Sequence, residues 1–530
     1  MKKILTLITF IGLHFGTYAQ KDASTFANGI TPADLKRHLT VIASDSLGGR
    51  DMGSEGLQKA ADYVTKHFQK LGLTPIAKDK DGAASFLQKY PLYNKDYGEA
   101  FLKNSKKRFD IDQDFYIKGV INIDSTQQSL PVVFAGYGIE SQKYNDYANV
   151  DVTNKIVVVL EGEPRKKDGT YLVTATEKES KWSDSNSWQR KITLAKNKGA
   201  LYVLMVSAEA DFGLALRRQK VMSDRFVRMS LEKYAETTSG NAVFMISEAI
   251  AADVLGVTAP VFAATAKKIT ETGEPTAGLT SRENLQIKAP RITRIIEGMN
   301  VAGFMPGSDK KDEVVIITAH LDHIGITAKG EINNGADDDG SGTVSILELA
   351  EAFAAARAEG RGPRRSILFM TVTGEEKGLF GSEYYTSNPL IPLAQTVCDL
   401  NIDMIGRVDD AHKNNPKYVY LIGSDKLSSD LHRISEEANA KTVKYDLDYT
   451  FNDPADPNRF YYRSDHYNFA KNKIPVIFYF TGVHEDYHRP GDDVEKILFD
   501  KQADIVKLVF YTAWEIANRN ERIKVDSNKP

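Results

Sequence analysis

Short apolar runs alternate with helical stretches between residues 285 and 520, and this alternation restricts the possible folds most strongly. Four of the runs are Val314–Thr318, Ile367–Val372, Leu400–Met404 and Ile474–Phe480. A strand that is apolar along its whole length is buried on both faces, which is typical of parallel sheets covered by helices. The sequence therefore predicts an α/β fold with a mostly parallel twisted sheet that is flanked by helices.

Composition and charge exclude several classes of protein. The chain has 530 residues, of which 42% are hydrophobic and 26% are charged. These values are ordinary for globular proteins, and they exclude a disordered chain or a polytopic membrane protein. The 68 basic and 71 acidic residues give a net charge of -3, so no overall positive field attracts nucleic acid or anionic lipid. We expect no nucleic-acid partner and no stable membrane insertion, and the sequence does not indicate an oligomeric state.

Residues 1–19 have the pattern of a secretory signal peptide. Two lysines precede an apolar stretch from Ile4 to Gly12, and Thr17-Tyr18-Ala19 is a small-residue cleavage site. We therefore expect an exported protein, periplasmic or secreted. The single cysteine, Cys398, excludes an intrachain disulfide, so a buried core must hold the exported fold together.

The remaining sequence divides into a discontinuous domain and an insertion. Residues 20–115 and 285–521 are predicted to form the α/β domain, and residues 522–530 form a polar tail. Residues 116–284 look like a separate α/β module with its own strands and a helix that ends at Gly199. This module carries none of the chemistry described below.

Side chains that bind metals follow four of the predicted strands. They are His320 and Asp322 after the first, Glu375 and Glu376 after the second, Asp403 at the end of the third, and His484 and His488 after the fourth. Ligands bind beyond the carboxyl ends of the strands in open parallel sheets. Three adjacent aspartates, Asp337–Asp339, precede a helix and repel one another unless a cation is present. Imidazole and carboxylate groups without a thiolate suit Zn2+, and the set is large enough for two ions.

Five motifs, in this order, resemble those of the exported di-zinc aminopeptidases, which are relatives of glutamate carboxypeptidase and glutaminyl cyclase. The motifs are Ala319-His320-Leu321-Asp322-His323, Asn334 to Gly342, Thr373 to Ser382, Asn401-Ile402-Asp403-Met404 and Tyr487-His488-Arg489-Pro490. The likeness covers residues 30–75 and 285–520. It implies a zinc exopeptidase fold, and the segment 116–284 resembles a smaller protease-associated domain inserted into it.

The resemblance implies a set of metal ligands for two Zn2+ ions per chain. His320 and Glu376 would bind separate ions, and Asp338 would bridge them. Asp403 and His488 would complete the two ligand sets. In this family the peptide after the bridging residue is often cis, so we expect a cis bond between Asp338 and Asp339.

Neighbouring residues have predicted roles with separate physical reasons. Asp322 lies two residues after His320, where an extended chain would let it accept the other imidazole N–H. Glu375 adjoins a ligand without being one, which is the expected position of a general base. Tyr487 is placed to donate its phenol to a developing oxyanion. We interpret the remaining histidines of these loops, His323, His466 and His484, as scaffold or rim residues.

The resemblance implies an exported metalloaminopeptidase that hydrolyses N-terminal residues from peptides. A metal-activated bridging water would attack the scissile carbonyl, and Glu375 would take its proton. The partners would be peptide substrates with a free N-terminus. Two alternatives stay open from the sequence. One is a carboxypeptidase or glutaminyl cyclase on the same fold, and the other is a non-catalytic binding relative.

Overall fold

The computed structural model describes residues 23–226, 229–233, 240–272, 274 and 279–527. These residues divide into two compact units, one formed by the chain up to Leu92 and from Ile296 onward, the other by Tyr93–Ile295. The predicted signal peptide, residues 1–19, and the last residues of the predicted tail, 528–530, lie outside the described residues.

The elements are numbered along the chain. The strands are β1 Thr74–Pro75, β2 Ala77–Lys78, β3 Ala84–Ser85, β4 Leu87–Tyr97, β5 Phe101–Lys103, β6 Arg108–Asp110, β7 Tyr116–Gly119, β8 Ile123–Leu130, β9 Val132–Phe134, β10 Ile156–Leu160, β11 Tyr202–Val206, β12 Met229–Ser230, β13 Ala242–Ile246, β14 Leu285–Ala289, β15 Arg291–Met305, β16 Lys310–His320, β17 Arg365–Val372, β18 Thr396–Ile402, β19 Tyr418–Ile422, β20 Asp446–Asp448 and β21 Val476–Phe480. The helices are α1 Pro32–Ile42, α2 Glu55–Lys70, α3 Ser187–Asn197, α4 Phe212–Phe226, α5 Glu248–Leu255, α6 Ala259–Thr272, α7 Gly342–Ala358, α8 Phe380–Ser387, α9 Ser429–Lys441, α10 His466–Ala470 and α11 Phe499–Asn518.

The sheet of the first unit confirms the predicted fold class. Its strand order is β4-β15-β17-β16-β18-β21-β19-β20. The four central strands, β17, β16, β18 and β21, run parallel to one another, whereas β15 pairs antiparallel with β17, and β19 pairs antiparallel with β21 and parallel with β20. All eight residues of β17 are buried, as expected for a strand covered on both faces.

Helices cover both faces of this sheet. On one face, the ring of Phe369 in β17 lies 6.0 Å from Phe353 in α7, which lies 4.8 Å from Phe510 in α11. On the other face, Leu368 and Met370 belong to a buried cluster that also contains residues of α8 and α10. Successive side chains of a strand point to opposite faces, so the two contacts place α7 and α11 opposite α8 and α10.

The first two helices begin where their capping residues predict. The Thr31 side chain accepts the N–H of Asp34 at 3.1 Å, directly before proline at the first helical position. The Ser54 side chain accepts the N–H of Leu57 at 3.1 Å at the start of α2. Both helices bury one apolar face in the first unit.

The second unit contains two sheets. One has the order β7-β13-β11-β10-β9 and the other β6-β5-β14-β8. Strands β9 and β10 are buried along their whole length, and helix α3 ends just before Gly199, where the sequence predicts the end of a helix. This unit starts at residue 93 instead of 116 and ends at 295 instead of 284, because β5 and β14 pair with each other and β14 also pairs with β8.

Within the described residues, no single helix is both long and apolar enough to span a membrane. The pair formed by α5 and α6 meets the criterion only when the two helices are taken together, and they are bent by 105° where they meet.

Candidate metal centre

Four parallel strands deliver the predicted ligands to one edge of the sheet. Strands β17, β16, β18 and β21 are neighbours in this order, so their carboxyl ends lie side by side. The side chains at or just beyond these ends are Glu375 and Glu376, His320, Asp403 and His488. The structure brings them together with Asp338, as the sequence predicts.

Asp338 stands between two sets of side chains. Its Oδ1 lies 3.2 Å from His320 Nε2, which lies 3.7 Å from Asp403 Oδ1. Its Oδ2 lies 3.1 Å from His488 Nε2, which lies 3.1 Å from Glu376 Oε2. Each oxygen of one buried carboxylate therefore faces a different imidazole with its own acidic neighbour.

The loop that carries Asp338 is held by backbone contacts that the sequence did not reveal. The Asp492 carboxylate accepts the N–H of Asp337 at 3.0 Å and that of Asp338 at 3.1 Å. The Asp339 carboxylate accepts the N–H groups of His320 and Gly342, each at 2.9 Å. The peptide between Asp338 and Asp339 is cis, as the family resemblance implies. Asp339 is thus engaged in bracing the loop.

Arg50 joins the loop that follows His320 to the loop that carries Asp338. Its guanidinium is buried and donates to the carbonyls of Leu321 at 2.8 Å, Asn334 at 2.7 Å and Gly335 at 3.0 Å. This role of Arg50 was not predicted from the sequence, in which Arg50 lies in a glycine-rich segment. A buried arginine can satisfy its five N–H donors only through such convergent acceptors, so Arg50 fixes how the loops approach each other.

Asp322 does not orient His320 in the predicted way. The backbone carbonyl of Asp322, and not its carboxylate, lies 2.9 Å from His320 Nδ1. The carboxylate instead accepts the N–H of Glu375 at 3.2 Å and that of Glu376 at 3.4 Å. The prediction assumed an extended chain, but β16 ends at His320, and the chain beyond it turns the Asp322 side chain toward the next loop.

Glu375 and Tyr487 line an open cleft at the same edge of the sheet. Glu375 Oε2 lies 4.0 Å from His320 Nε2, outside both pairs that Asp338 makes. The Tyr487 ring stacks on His488 with the ring centres 3.9 Å apart, and its hydroxyl lies 3.4 Å from the Arg463 guanidinium. Both side chains thus reach the cleft without filling a ligand position.

The three histidines that the sequence set aside have different positions. His466 stacks on Phe478, with ring centres 4.8 Å apart, and His484 Nε2 lies 3.4 Å from Asp337 Oδ2. Both lie beside the cluster. His323 is fully buried inside it, with Nδ1 2.9 Å from Glu376 Oε1 and 3.8 Å from Asp338 Oδ2. It is therefore not a rim residue. Its position three residues after His320 is the one feature of the sequence that could have indicated its place in the cluster.

The crowding of charges at the centre shifts several pKa values. Burial by itself would lower the pKa of His320, but the Asp403 and Glu375 carboxylates raise it well above its usual value. Burial raises the pKa of Glu375 well above its ordinary range, and nearby Glu376 adds to the increase while His320 opposes it. Such a concentration of buried carboxylates favours a bound cation.

The residues at this centre fit zinc. Zn2+ prefers imidazole nitrogen and carboxylate oxygen at about 2.0 Å in tetrahedral geometry, which places two ligand atoms about 3.3 Å apart. The contacts that Asp338 makes with His320 and His488 have this separation. Within the described part of the chain, Asp338 Oδ2, Glu376 Oε1 and both ring nitrogens of His323 are buried and make no well-directed hydrogen bond, although His323 Nδ1 lies 2.9 Å from Glu376 Oε1. A cation would satisfy these atoms.

Comparison with known proteins identifies relatives for part of the chain. Residues 300–513 match the model of peptidase family M28. A probable leucine aminopeptidase from Arthroderma otae is 29% identical over 239 residues, which are 44% of this chain and 62% of that protein. A probable leucine aminopeptidase from Arthroderma benhamiae is 31% identical over 225 residues, which are 41% and 57% of the two chains. The match thus spans about three fifths of the length of these curated relatives.

A solved structure of a zinc aminopeptidase from Bacillus subtilis is also similar to this protein. It is 18% identical, the match covers 94% of this chain and 98% of that chain, and the TM-score is 0.47. At that score the likeness says nothing about the activity of this protein.

Proposed function

We propose that this protein, whose residues 300–513 match the model of peptidase family M28, is a two-zinc aminopeptidase that removes N-terminal residues from peptides. The observation that carries the proposal is the position of Asp338. Its two oxygens face His320 and His488 on opposite sides, at 3.2 Å and 3.1 Å. A carboxylate in this position is suited to bridge two ions.

The ligands divide naturally between two Zn2+ ions. His320 and Asp403 would hold one ion, Glu376 and His488 the other, and Asp338 both. His323 adjoins the second set through Glu376. Bound zinc supplies a water of lowered pKa and polarises the scissile carbonyl.

Glu375 is the proposed general base. It lies in the cleft next to the ligands, and its backbone is anchored by Asp322. Its carboxylate would take a proton from the attacking water and later transfer one to the leaving amine. General-base catalysis of this kind contributes roughly 100- to 10,000-fold to the rate.

Tyr487 is the proposed donor to the developing oxyanion. Burial raises the pKa of its phenol, and the nearby Asp338 carboxylate adds to the increase. The hydroxyl therefore keeps its proton at neutral pH and is available as a donor.

One wall of the cleft is apolar. It contains Met404, Phe460, Phe478, Phe480 and Val483. An apolar pocket beside the reacting centre gains free energy by burying an apolar side chain. We therefore propose that the enzyme prefers peptides with an apolar N-terminal residue.

The test measures hydrolysis of three substrate types by the purified protein. We expect turnover of leucyl anilide, loss of turnover with a chelator and its return with Zn2+. We expect no turnover of the acetylated anilide, because an aminopeptidase requires the free amine. Turnover of acyl-blocked peptides at their carboxyl end would indicate a carboxypeptidase instead, and cyclisation of N-terminal glutaminyl peptides would indicate a glutaminyl cyclase. Absence of all three activities in the zinc-loaded protein would favour a binding role.

We also propose that the protein is exported, with residues 1–19 as its signal peptide, and that residues 116–284 form a protease-associated insertion. The pattern of the first nineteen residues supports export. Cell fractionation of the expressed full chain tests it, since retention of an uncleaved chain in the cytoplasm would contradict the proposal.

A further inference from the structure

A second group of histidine and glutamate side chains lies among three helices of the first unit. His38 belongs to α1, His67 to α2, and Glu348 and Glu351 to α7. Ligand atoms of His38, His67 and Glu351 all lie within 4.8 Å of one another.

The distances within this group suit a shared cation better than hydrogen bonds. His67 Nε2 lies 3.2 Å from Glu351 Oε1. His38 Nε2 lies 3.9 Å from that same oxygen and 3.7 Å from Glu348 Oε1, which is beyond hydrogen-bond range. Ligands of a tetrahedral zinc ion are about 3.3 Å apart, so a small adjustment of these side chains would place one ion between them.

Without such an ion, the burial of these polar side chains is unfavourable in free energy. His38 and Glu348 are each 1% exposed, and His67 is 8% exposed. Within the described residues, Nε2 of both histidines and Oε1 of Glu348 have no hydrogen-bond partner. Burying a polar atom without a partner is energetically unfavourable. A proton shared by His67 and Glu351 would leave His38 Nε2 and Glu348 Oε1 unsatisfied.

Tyr63 orients His38 toward the group. The Tyr63 hydroxyl lies 2.7 Å from His38 Nδ1, which leaves Nε2 to face the two glutamates. Imidazole ligands of metals are commonly fixed in this way by a contact to their other ring nitrogen. Burial lowers the pKa of His38, and a neutral imidazole is the form that binds a metal.

We propose that His38, His67, Glu348 and Glu351 form a second metal site, separate from the centre at Asp338, that binds one Zn2+ ion and has a structural role. Two imidazoles and two carboxylates complete a tetrahedral ligand set without an open position. Glu348 lies six residues beyond the start of α7 at Gly342, or about 9 Å along the helix axis. The ion would join α1 and α2 to the helix that directly follows the Asp338 loop.

Metal analysis of the full chain tests the proposal. We expect the wild-type protein to hold about one equivalent of zinc more than His67→Gln or Glu351→Gln, while both variants keep leucyl anilide turnover. The matched control is His432→Gln, because His432 also faces a glutamate, Glu436, at 3.7 Å but lies on a partly exposed helix surface. Equal metal content in wild type, His67→Gln and control would overturn the proposal.

A second measurement guards against misfolding of the variants and does not depend on catalysis. In a chain with Asp338→Asn, which removes the central ligand of the first site, added Zn2+ is expected to raise the melting temperature by several degrees. Binding at 100 times the dissociation constant stabilises by about 2.7 kcal/mol. Adding Glu351→Gln, whose side chain is 33% exposed, is expected to abolish that rise. A rise of the same size in both chains would refute the site.

Discussion

The carboxylate of Asp322 accepts the backbone N–H of Glu375 at 3.2 Å through one oxygen, and that of Glu376 at 3.4 Å through the other. Asp322 follows β16 and Glu375 follows β17, so one buried side chain joins the ends of two neighbouring strands. The proposed base and a proposed ligand are thus positioned by a residue that touches neither of their side chains.

Replacing Asp322 with asparagine is expected to weaken zinc binding or turnover about 10-fold or more, the size that supporting residues of metal sites contribute. The amide offers one acceptor oxygen, so one of the two N–H groups would face an NH2 group. Zinc affinity and kcat are measured together. Asp399→Asn is the control, since Asp399 is also buried and contacts Thr318 outside the cluster. Equal losses in both variants would contradict the specific role of Asp322.

Replacing Glu375 with glutamine is expected to lower kcat by roughly 100-fold or more while the zinc content stays the same. Glutamine has nearly the same shape but cannot accept a proton from water. Kinetics on leucyl anilide and metal analysis check the two parts separately. Near-normal turnover would exclude Glu375 as the base, and loss of zinc would make it a ligand.

Removing ligands from the two sides of Asp338 is expected to have unequal effects on metal content. His488→Ala is expected to lose about one zinc equivalent, because His488 contacts only one oxygen of Asp338. Asp338→Ala is expected to lose most of two equivalents. Mass spectrometry of metals in the purified variants gives the count, and an equal loss in both would contradict the bridging position.

Replacing His466 with phenylalanine is expected to make the first unit less sensitive to acid. Burial lowers the pKa of His466 from its usual 6.5 to about 3. Between these values the unfolded chain binds a proton that the folded chain does not, so the free energy of unfolding falls as the pH falls from 6.5 toward 3. For one group with this shift, the loss at pH 5 is about 2 kcal/mol.

Urea unfolding at pH 7 and pH 5 measures this effect. The difference between the two pH values is expected to be smaller by about 2 kcal/mol in His466→Phe than in the wild type. His432→Gln, at a partly exposed position, is expected to keep the wild-type difference. The interpretation fails if His466→Phe shows the same pH dependence as the wild type.

The parallel sheet and the side chains at its edge could be predicted from the sequence alone. Largely apolar runs predict strands buried on both faces, and parallel neighbours necessarily place their carboxyl ends together. His320, Glu376, Asp403 and His488 therefore needed no structure to be grouped. The capping residues Thr31 and Ser54 likewise act within three residues along the chain, so local chemistry is sufficient to predict where α1 and α2 begin.

The contacts between residues that are far apart in the chain could be seen only in the tertiary structure. Arg50 meets the carbonyl of Leu321 across 271 positions, and Asp492 meets the Asp337 amide across 155. His38 and His67 meet Glu351 because α1 and α2 pack on α7. Sequence periodicity does not predict such contacts, because they depend on how whole helices and loops pack. The same packing directs the Asp322 side chain away from His320 and places His323 against Glu376.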